Sequence, residues 1–85
     1  MRFTFIGIYK GERYELQGDG VTDVTGVFIS SYHETDYGAI GAARRIQKWV
    51  LVPDGSPFNH YFEAVEIHVG DNLIAKVRGG SLYRY

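Results

Sequence analysis

One stretch of this sequence has the spacing of an amphipathic helix, and that stretch limits the folds open to the chain. In "TDYGAIGAARRIQKWV", residues 35–50, apolar side chains recur every three or four positions. The stripe consists of Ala39, Ala42, Ala43, Ile46, Trp49 and Val50. Such a stripe predicts a helix that buries one face, and Thr35 or Asp36 can cap its N-terminus. The rest of the chain must supply the surface that covers the stripe.

The N-terminal part of the sequence has the pattern of strands. Residues 3–9, "FTFIGIY", are apolar on both faces, which is typical of a central strand. A tight turn at Lys10-Gly11 leads into "ERYELQG", whose alternation predicts a half-buried partner strand. After the turn signal "GDG" we predict a third strand at residues 26–32, which would complete a three-stranded meander.

The segment after the helix alternates as well. Residues 61–69 and 73–78 each place apolar side chains on one face, and the turn "GDN" joins them. The inward set comprises Val65, Ile67, Val69, Leu73, Ala75 and Val77. "SLYRY", residues 81–85, predicts a short last strand or an ordered tail. The expected fold is α+β, one amphipathic helix packed on an antiparallel sheet in the order βββ-α-ββ(β).

The length and composition of the chain limit its organisation. A chain of 85 residues has apolar residues enough for one core, so we expect a single globular domain over residues 1–85. The chain contains no cysteine, which excludes a disulfide framework, a zinc ribbon and thiol catalysis. No apolar run approaches the ~20 residues that span a bilayer. We therefore expect a soluble protein that does not enter membranes.

The charges are distributed unevenly along the chain, although the net charge is only −1. Acidic residues dominate residues 11–36, and basic residues dominate from Tyr37 onward. Tyrosine and arginine are enriched at binding hot spots, but a solvated helix face and tyrosines that complete the core would give the same pattern. The candidate protein-binding residues are Asp19, Asp23, Tyr32, Glu34, Asp36, Tyr37, Arg44, Arg45 and Lys48.

No group of residues has the spacing of a catalytic or metal site. His33, His60 and His68 are far apart, and none lies in an H-E-x-x-H pattern. Glu66 and His68 share one face of a strand, which suits a weak metal or acid–base pair, but an exposed polar pair is the simpler interpretation. No serine has a G-x-S-x-G context. We therefore expect no catalysis, no cofactor and no metal.

Two alternatives follow from the remaining patterns. Two or three cations on one helix face give only weak phosphate-driven binding at cellular salt, so direct nucleic-acid binding is not expected. A small nucleic-acid-binding or regulatory domain that uses Arg44, Arg45 and Lys48 is nevertheless the second hypothesis. The last segment, "SLYRY", can pair edge to edge with a second copy, which would give a homodimer.

The second half of the chain resembles a known class of protein. The helix "AIGAARRIQKWV", the strand "AVEIHV", the turn "GDN", the strand "LIAKV" and the final "LYRY" are together similar to small phage-encoded anti-CRISPR proteins. The resemblance covers residues 35–85 and is one of residue classes. It implies a non-catalytic inhibitor in the cytoplasm of an infected bacterial host.

The resemblance also implies a kind of partner, a Cas subunit of a CRISPR surveillance complex. Such an inhibitor blocks nucleic-acid binding or nuclease recruitment. Carboxylates pair with the same donors as phosphates, so the acidic candidates can occupy a groove built for nucleic acid, while the basic helix face suits an acidic protein patch. No residue role is carried over, because no motif is matched residue by residue.

Overall fold

Seven strands and one helix form an α+β fold in which the helix covers one face of an antiparallel sheet. The computed structural model describes residues 1–85. The strands are β1 Thr4–Tyr9, β2 Glu12–Glu15, β3 Gly20–Thr22, β4 Phe28–Ser30, β5 Ala64–Val69, β6 Asn72–Arg78 and β7 Ser81–Arg84. The helix α1 spans Asp36–Trp49, between β4 and β5. The fold class predicted from the sequence is confirmed.

The main sheet contains five strands in the order β2-β1-β5-β6-β7. Every neighbouring pair in it is antiparallel. β1 is an interior strand, which explains why both of its faces are apolar. Lys10 and Gly11, which join β1 to β2, both have positive φ, as a two-residue hairpin turn requires. β2 and β7 are the two edges of the sheet.

α1 packs on β5 and β6 through the predicted alanine-rich face. The Thr35 hydroxyl caps the helix by accepting a hydrogen bond from the Gly38 N–H at 3.3 Å. The largest fully buried side chains are Phe3, Phe5, Ile29, Ile46, Ile67, Val65 and Val77. α1 is the one helix of the fold, and its 14 residues are neither long nor apolar enough to cross a membrane.

Two side chains lie elsewhere than the sequence pattern predicts. Trp49 is 41% exposed, so its assignment to the buried stripe is wrong. α1 ends at this residue, and Ile40 is buried on the helix instead. Leu73 lies opposite His68, on the face turned away from α1, because a bulge shifts the β5–β6 register there. Ile74 packs against the core in its place.

The third predicted strand does not extend the main sheet. β3 and β4 form a separate two-stranded sheet, so the predicted three-stranded meander is wrong. Gly18, with φ of 74°, lets the chain turn away after β2. The turn between β3 and β4 lies against the end of α1, where the Val24 N–H donates to the Trp49 carbonyl at 2.9 Å.

Candidate functional site

A shallow, positively charged depression lies between α1 and the edge strand β7. It consists of two adjoining clefts of ≈ 360 and ≈ 310 Å³, both lined by Arg44. We call it the basic cleft, and its lining residues are Tyr37, Ile40, Gly41, Arg44, Gln47, Lys48, Phe62, Gly79, Leu82 and Arg84. Three of these residues are cations and none is acidic, so the cleft attracts negative charge.

The cations of the basic cleft have no acidic partner inside the molecule. The ion pairs of the protein involve Arg13, Arg45 and His68, and not Arg44, Lys48 or Arg84. Arg44 donates only a long hydrogen bond of 3.4 Å to the Gly80 carbonyl. The Lys48 ammonium lies 5.1 Å from the centre of the Trp49 ring. All three charges are therefore available to a ligand or a partner.

β7 forms one wall of the basic cleft and leaves one side of its backbone unpaired. Ser81 to Arg84 pair with β6 on the inner side, and no strand follows on the outer side. The Tyr85 N–H donates to the Ile74 carbonyl at 3.0 Å. In an antiparallel pair, the N–H and C=O groups of successive residues point alternately toward the partner strand and away from it. Because Tyr85 points toward β6, Leu82 and Arg84 direct their N–H and C=O groups outward. Their side chains line the cleft.

The three basic residues predicted on α1 do not act as one group. Arg44 and Lys48 lie one turn apart and line the basic cleft. The Arg45 guanidinium lies on another flank of the helix, 3.8 Å from a carboxylate oxygen of Asp23. The structure therefore places two of the three cations in the candidate site and gives Arg45 an internal partner.

Asp23 is not available to a partner, contrary to the prediction that it lies on a binding surface. It is only 8% exposed. One carboxylate oxygen accepts hydrogen bonds from the Thr25 N–H, the Thr25 hydroxyl and the Val27 N–H at 2.6–3.0 Å. The Thr25 hydroxyl is the main reason that the pKa of Asp23 is lowered. Asp23 organises the β3–β4 turn.

The other acidic candidates lie near the N-terminal end of α1. The Tyr32 hydroxyl donates to the Asp19 carboxylate at 3.3 Å, and Glu34 and Asp36 follow, both exposed. Arg2 pairs with Tyr32 in an isolated bridge and donates to the Gly18 carbonyl. This cation offsets part of the negative charge there, so the acidic surface is weaker than the sequence predicts. Tyr37, 82% exposed, belongs to the basic cleft instead.

The face of the sheet turned away from α1 carries a compact ion-pair cluster. The two terminal nitrogens of the Arg13 guanidinium donate to Glu66, at 2.7 and 2.9 Å, and Nε2 of His68 lies 2.9 Å from the same carboxylate. Hydrogen bonding from Arg13 is the main cause that lowers the pKa of Glu66 to about 2. The predicted Glu66–His68 pair is present, but its side chains are only 12% and 14% exposed, so the expectation of an exposed pair is wrong. Arg13 extends the pair into a cross-strand network.

A second histidine lies in a chain of hydrogen bonds that the sequence did not predict. The Tyr9 hydroxyl lies 2.9 Å from Nδ1 of His60, and the Ser56 hydroxyl lies 3.3 Å from Nε2. Ser56 also accepts a hydrogen bond from the Phe58 N–H at 3.1 Å. These contacts fasten the loop after α1 to β1. No three metal-ligating side chains of the protein come together.

Comparison of the chain with family models, with curated proteins and with solved structures finds no match.

Sequence reasoning missed Leu82 and Arg84 as site residues. The signal was the alternation in "SLYRY", which puts these two side chains on one face of a strand. Register then decides which face. Val77 pairs with Leu82 and Ala75 pairs with Arg84, and because Val77 and Ala75 face the helix, their partners do too.

Proposed function

We infer that the protein is a non-catalytic inhibitor that binds another protein through the face containing the basic cleft and β7. The resemblance to anti-CRISPR proteins suggests the setting, in which the partner is a Cas subunit and binding blocks nucleic-acid loading or nuclease recruitment. The inhibitor works by occupying a surface of that partner. No bond of a substrate is broken or formed.

One observation supports this proposal most strongly. Three unpaired cations and the exposed ring of Tyr37 are gathered on one side of a small domain. Internal packing does not account for them, since an exposed tyrosine contributes nothing to the core and unpaired cations repel one another. Arginine and tyrosine together are the residue types that dominate binding hot spots. The face therefore suits recognition of an acidic partner.

The groove-blocking alternative, in which carboxylates imitate phosphates, has less support. Asp23 is buried, and Arg2 lies beside the remaining acidic residues. The second candidate function, nucleic-acid binding, gains Arg84 as a cation but loses Arg45 to Asp23. Three cations remain, and phosphate-driven affinity from so few contacts is low at cellular salt.

The test is a phage plaque assay in bacteria with an active CRISPR–Cas system. Expression of the wild-type protein is expected to restore plaques. The double variant R44E/K48E is expected to lose this effect, because it reverses two charges of the basic cleft. The control is R78E, a single charge reversal on an exposed residue of β6. The Arg78 side chain lies on the other face of the sheet, where Arg78 pairs with Ala64 and Ser81.

A second variant separates the two surfaces. D19K/E34K/D36K reverses the acidic residues and should leave plaque formation intact. Loss of plaques with this variant, and not with R44E/K48E, would contradict the assignment of the basic cleft. Failure of the wild-type protein to protect phages against any CRISPR type would contradict the proposed function.

A further inference from the structure

We propose that the outer edge of β7 and the basic cleft together receive an extended acidic segment of the partner, which adds to the main sheet as a sixth strand. This inference rests on the proposed function only for the identity of the protein that carries the segment. The mode of binding follows from the backbone of β7 and the side chains beside it.

Leu82 and Arg84 carry the free backbone groups of β7. Their N–H and C=O groups point away from β6, as shown by the inward hydrogen bond of the neighbouring Tyr85 to Ile74. A strand laid along this edge can form four main-chain hydrogen bonds with these two residues. Edge pairing of this kind is a general way for a sheet to bind a peptide.

The other edge of the sheet is protected against such pairing. β2 and β7 are both four residues long, but β2 carries three charged residues, Glu12, Arg13 and Glu15. Charged side chains on a short edge strand discourage additional strands. β7 has one charged residue, Arg84, and two large apolar or aromatic ones, Leu82 and Tyr83. Strand addition is therefore favoured at β7.

The side chains beside β7 determine the chemistry of the added strand. Alternate residues of a strand on this edge would point toward α1, over the basic cleft. Ile40, Leu82 and Phe62 supply its apolar lining, and Arg44, Lys48 and Arg84 supply positive charge. Glutamate or aspartate at these alternate positions would meet unpaired cations. The complementary occupant is an acidic strand.

Two other occupants fit less well. A second copy of this chain paired through β7 would bring Arg84 and Arg44 of both copies to one interface, where like charges repel. A single strand of DNA can meet the three cations, but its sugar–phosphate backbone has acceptors only and no donor for the free C=O groups of Leu82 and Arg84. Neither uses both the charge and the free backbone.

The test measures binding of a fluorescein-labelled peptide of alternating glutamate and threonine, about nine residues long, by fluorescence anisotropy. The wild-type protein should bind it, and the lysine–threonine analogue should not bind. R44E/K48E should weaken binding by about tenfold or more, whereas the control R78E should leave binding unchanged. Both variants keep the buried residues intact, so their folding can be verified by circular dichroism.

Two further peptides isolate the main-chain hydrogen bonds. One carries N-methyl groups on every threonine and the other on every glutamate. In an added strand, the N–H groups of alternate residues face β7 and the others face away. One of the two peptides should therefore lose binding, and the other should retain it. Amide hydrogen exchange should show protection of Leu82 and Arg84 when the unmodified peptide is bound. Equal binding of both methylated peptides would overturn strand addition.

Further outcomes would distinguish strand addition at β7 from other modes of binding and from the proposed function. Tighter binding of a single-stranded DNA oligonucleotide than of the acidic peptide would overturn the proposal in favour of nucleic acid. Protection of Leu82 and Arg84 without peptide, together with a dimer mass, would overturn it in favour of a second copy. Plaque restoration by a protein that ignores the peptide would refute strand addition and leave the proposed function standing. Peptide binding without plaque restoration would support strand addition and refute the proposed function.

Discussion

The Asp23 side chain accounts for the arrangement of the whole β3–β4 turn. Its carboxylate accepts three hydrogen bonds within the turn and lies near Arg45 of α1. The lowered pKa of Asp23 means that the folded protein favours the charged carboxylate. Its contribution to stability is therefore present above the ordinary pKa of 3.8 and disappears as the pH falls through the lower folded value.

Replacement of Asp23 tests this role. D23A should lower the melting temperature at neutral pH, because the N–H groups of Thr25 and Val27 lose their acceptor. The loss relative to the wild type should shrink as the pH is lowered below 3.8. Thermal unfolding at several pH values measures both effects. D19A, which removes an exposed carboxylate just before β3, is the control and should change little.

Glu66 is the second residue whose ionised side chain stabilises the folded protein. Arg13 holds the pKa of Glu66 at about 2, well below 4.5, mainly by hydrogen bonding. A depressed carboxyl pKa stabilises the folded state above the unfolded pKa, and that stabilisation is lost as the pH falls from 4.5 to about 2. Because Arg13 is half exposed, we expect E66Q to cost only about 1–2 kcal/mol at pH 7.

Urea unfolding at pH 7 and near pH 2 checks this expectation. The wild type and E66Q should differ at neutral pH and converge in strong acid. E15Q, which removes an exposed carboxylate from β2 that forms no ion pair, is the matched control. An E66Q difference that persists unchanged into strong acid would show that the Arg13 contact contributes through packing and not through charge.

At the scale of elements, two glycines show how differently the same added methyl group acts. Gly7 is buried on β1 against the ring of Phe62, and a Cβ there would overlap the ring. Gly41 is exposed on α1, and a Cβ there would meet nothing within 4 Å. G7A should therefore destabilise the protein by about 1–3 kcal/mol, and G41A should stabilise it by about 1 kcal/mol.

Denaturant unfolding of the two variants measures both changes, and each variant is the control for the other. Stabilisation by G7A would mean that Phe62 does not cover β1 as described. Gly7 lies in the middle of the sheet, where it pairs with Val65 of β5 and with Tyr14 of β2.

The sequence predicts the elements better than their pairing. The stripe from Ala39 to Ile46 determines α1, and the alternation around Ile67 determines the sheet face, because each depends on local period alone. The separate β3–β4 sheet depends on the direction of the backbone after Gly18 and on the contact of the β3–β4 turn with α1. Arg84 lines the same cleft as Arg44 only because β7 pairs with β6, and a linear pattern does not show that pairing.

At the scale of the whole molecule, the two faces of the sheet differ in how their charges are paired. The face with Arg13, Glu66 and His68 has its charges paired internally. The face with α1 buries the core, and the border between α1 and β7 carries the unpaired cations. Our account assigns recognition to this border and to no other part of the surface.

Site-specific photo-crosslinking in bacteria with an active CRISPR–Cas system tests that assignment most directly. Benzoylphenylalanine replaces Tyr37, 82% exposed in the basic cleft, or Phe58, 74% exposed in the loop after α1. The account predicts that irradiation joins a Cas subunit to the protein through position 37 and not through position 58. A partner attached through position 58 alone, or through neither position, would contradict it.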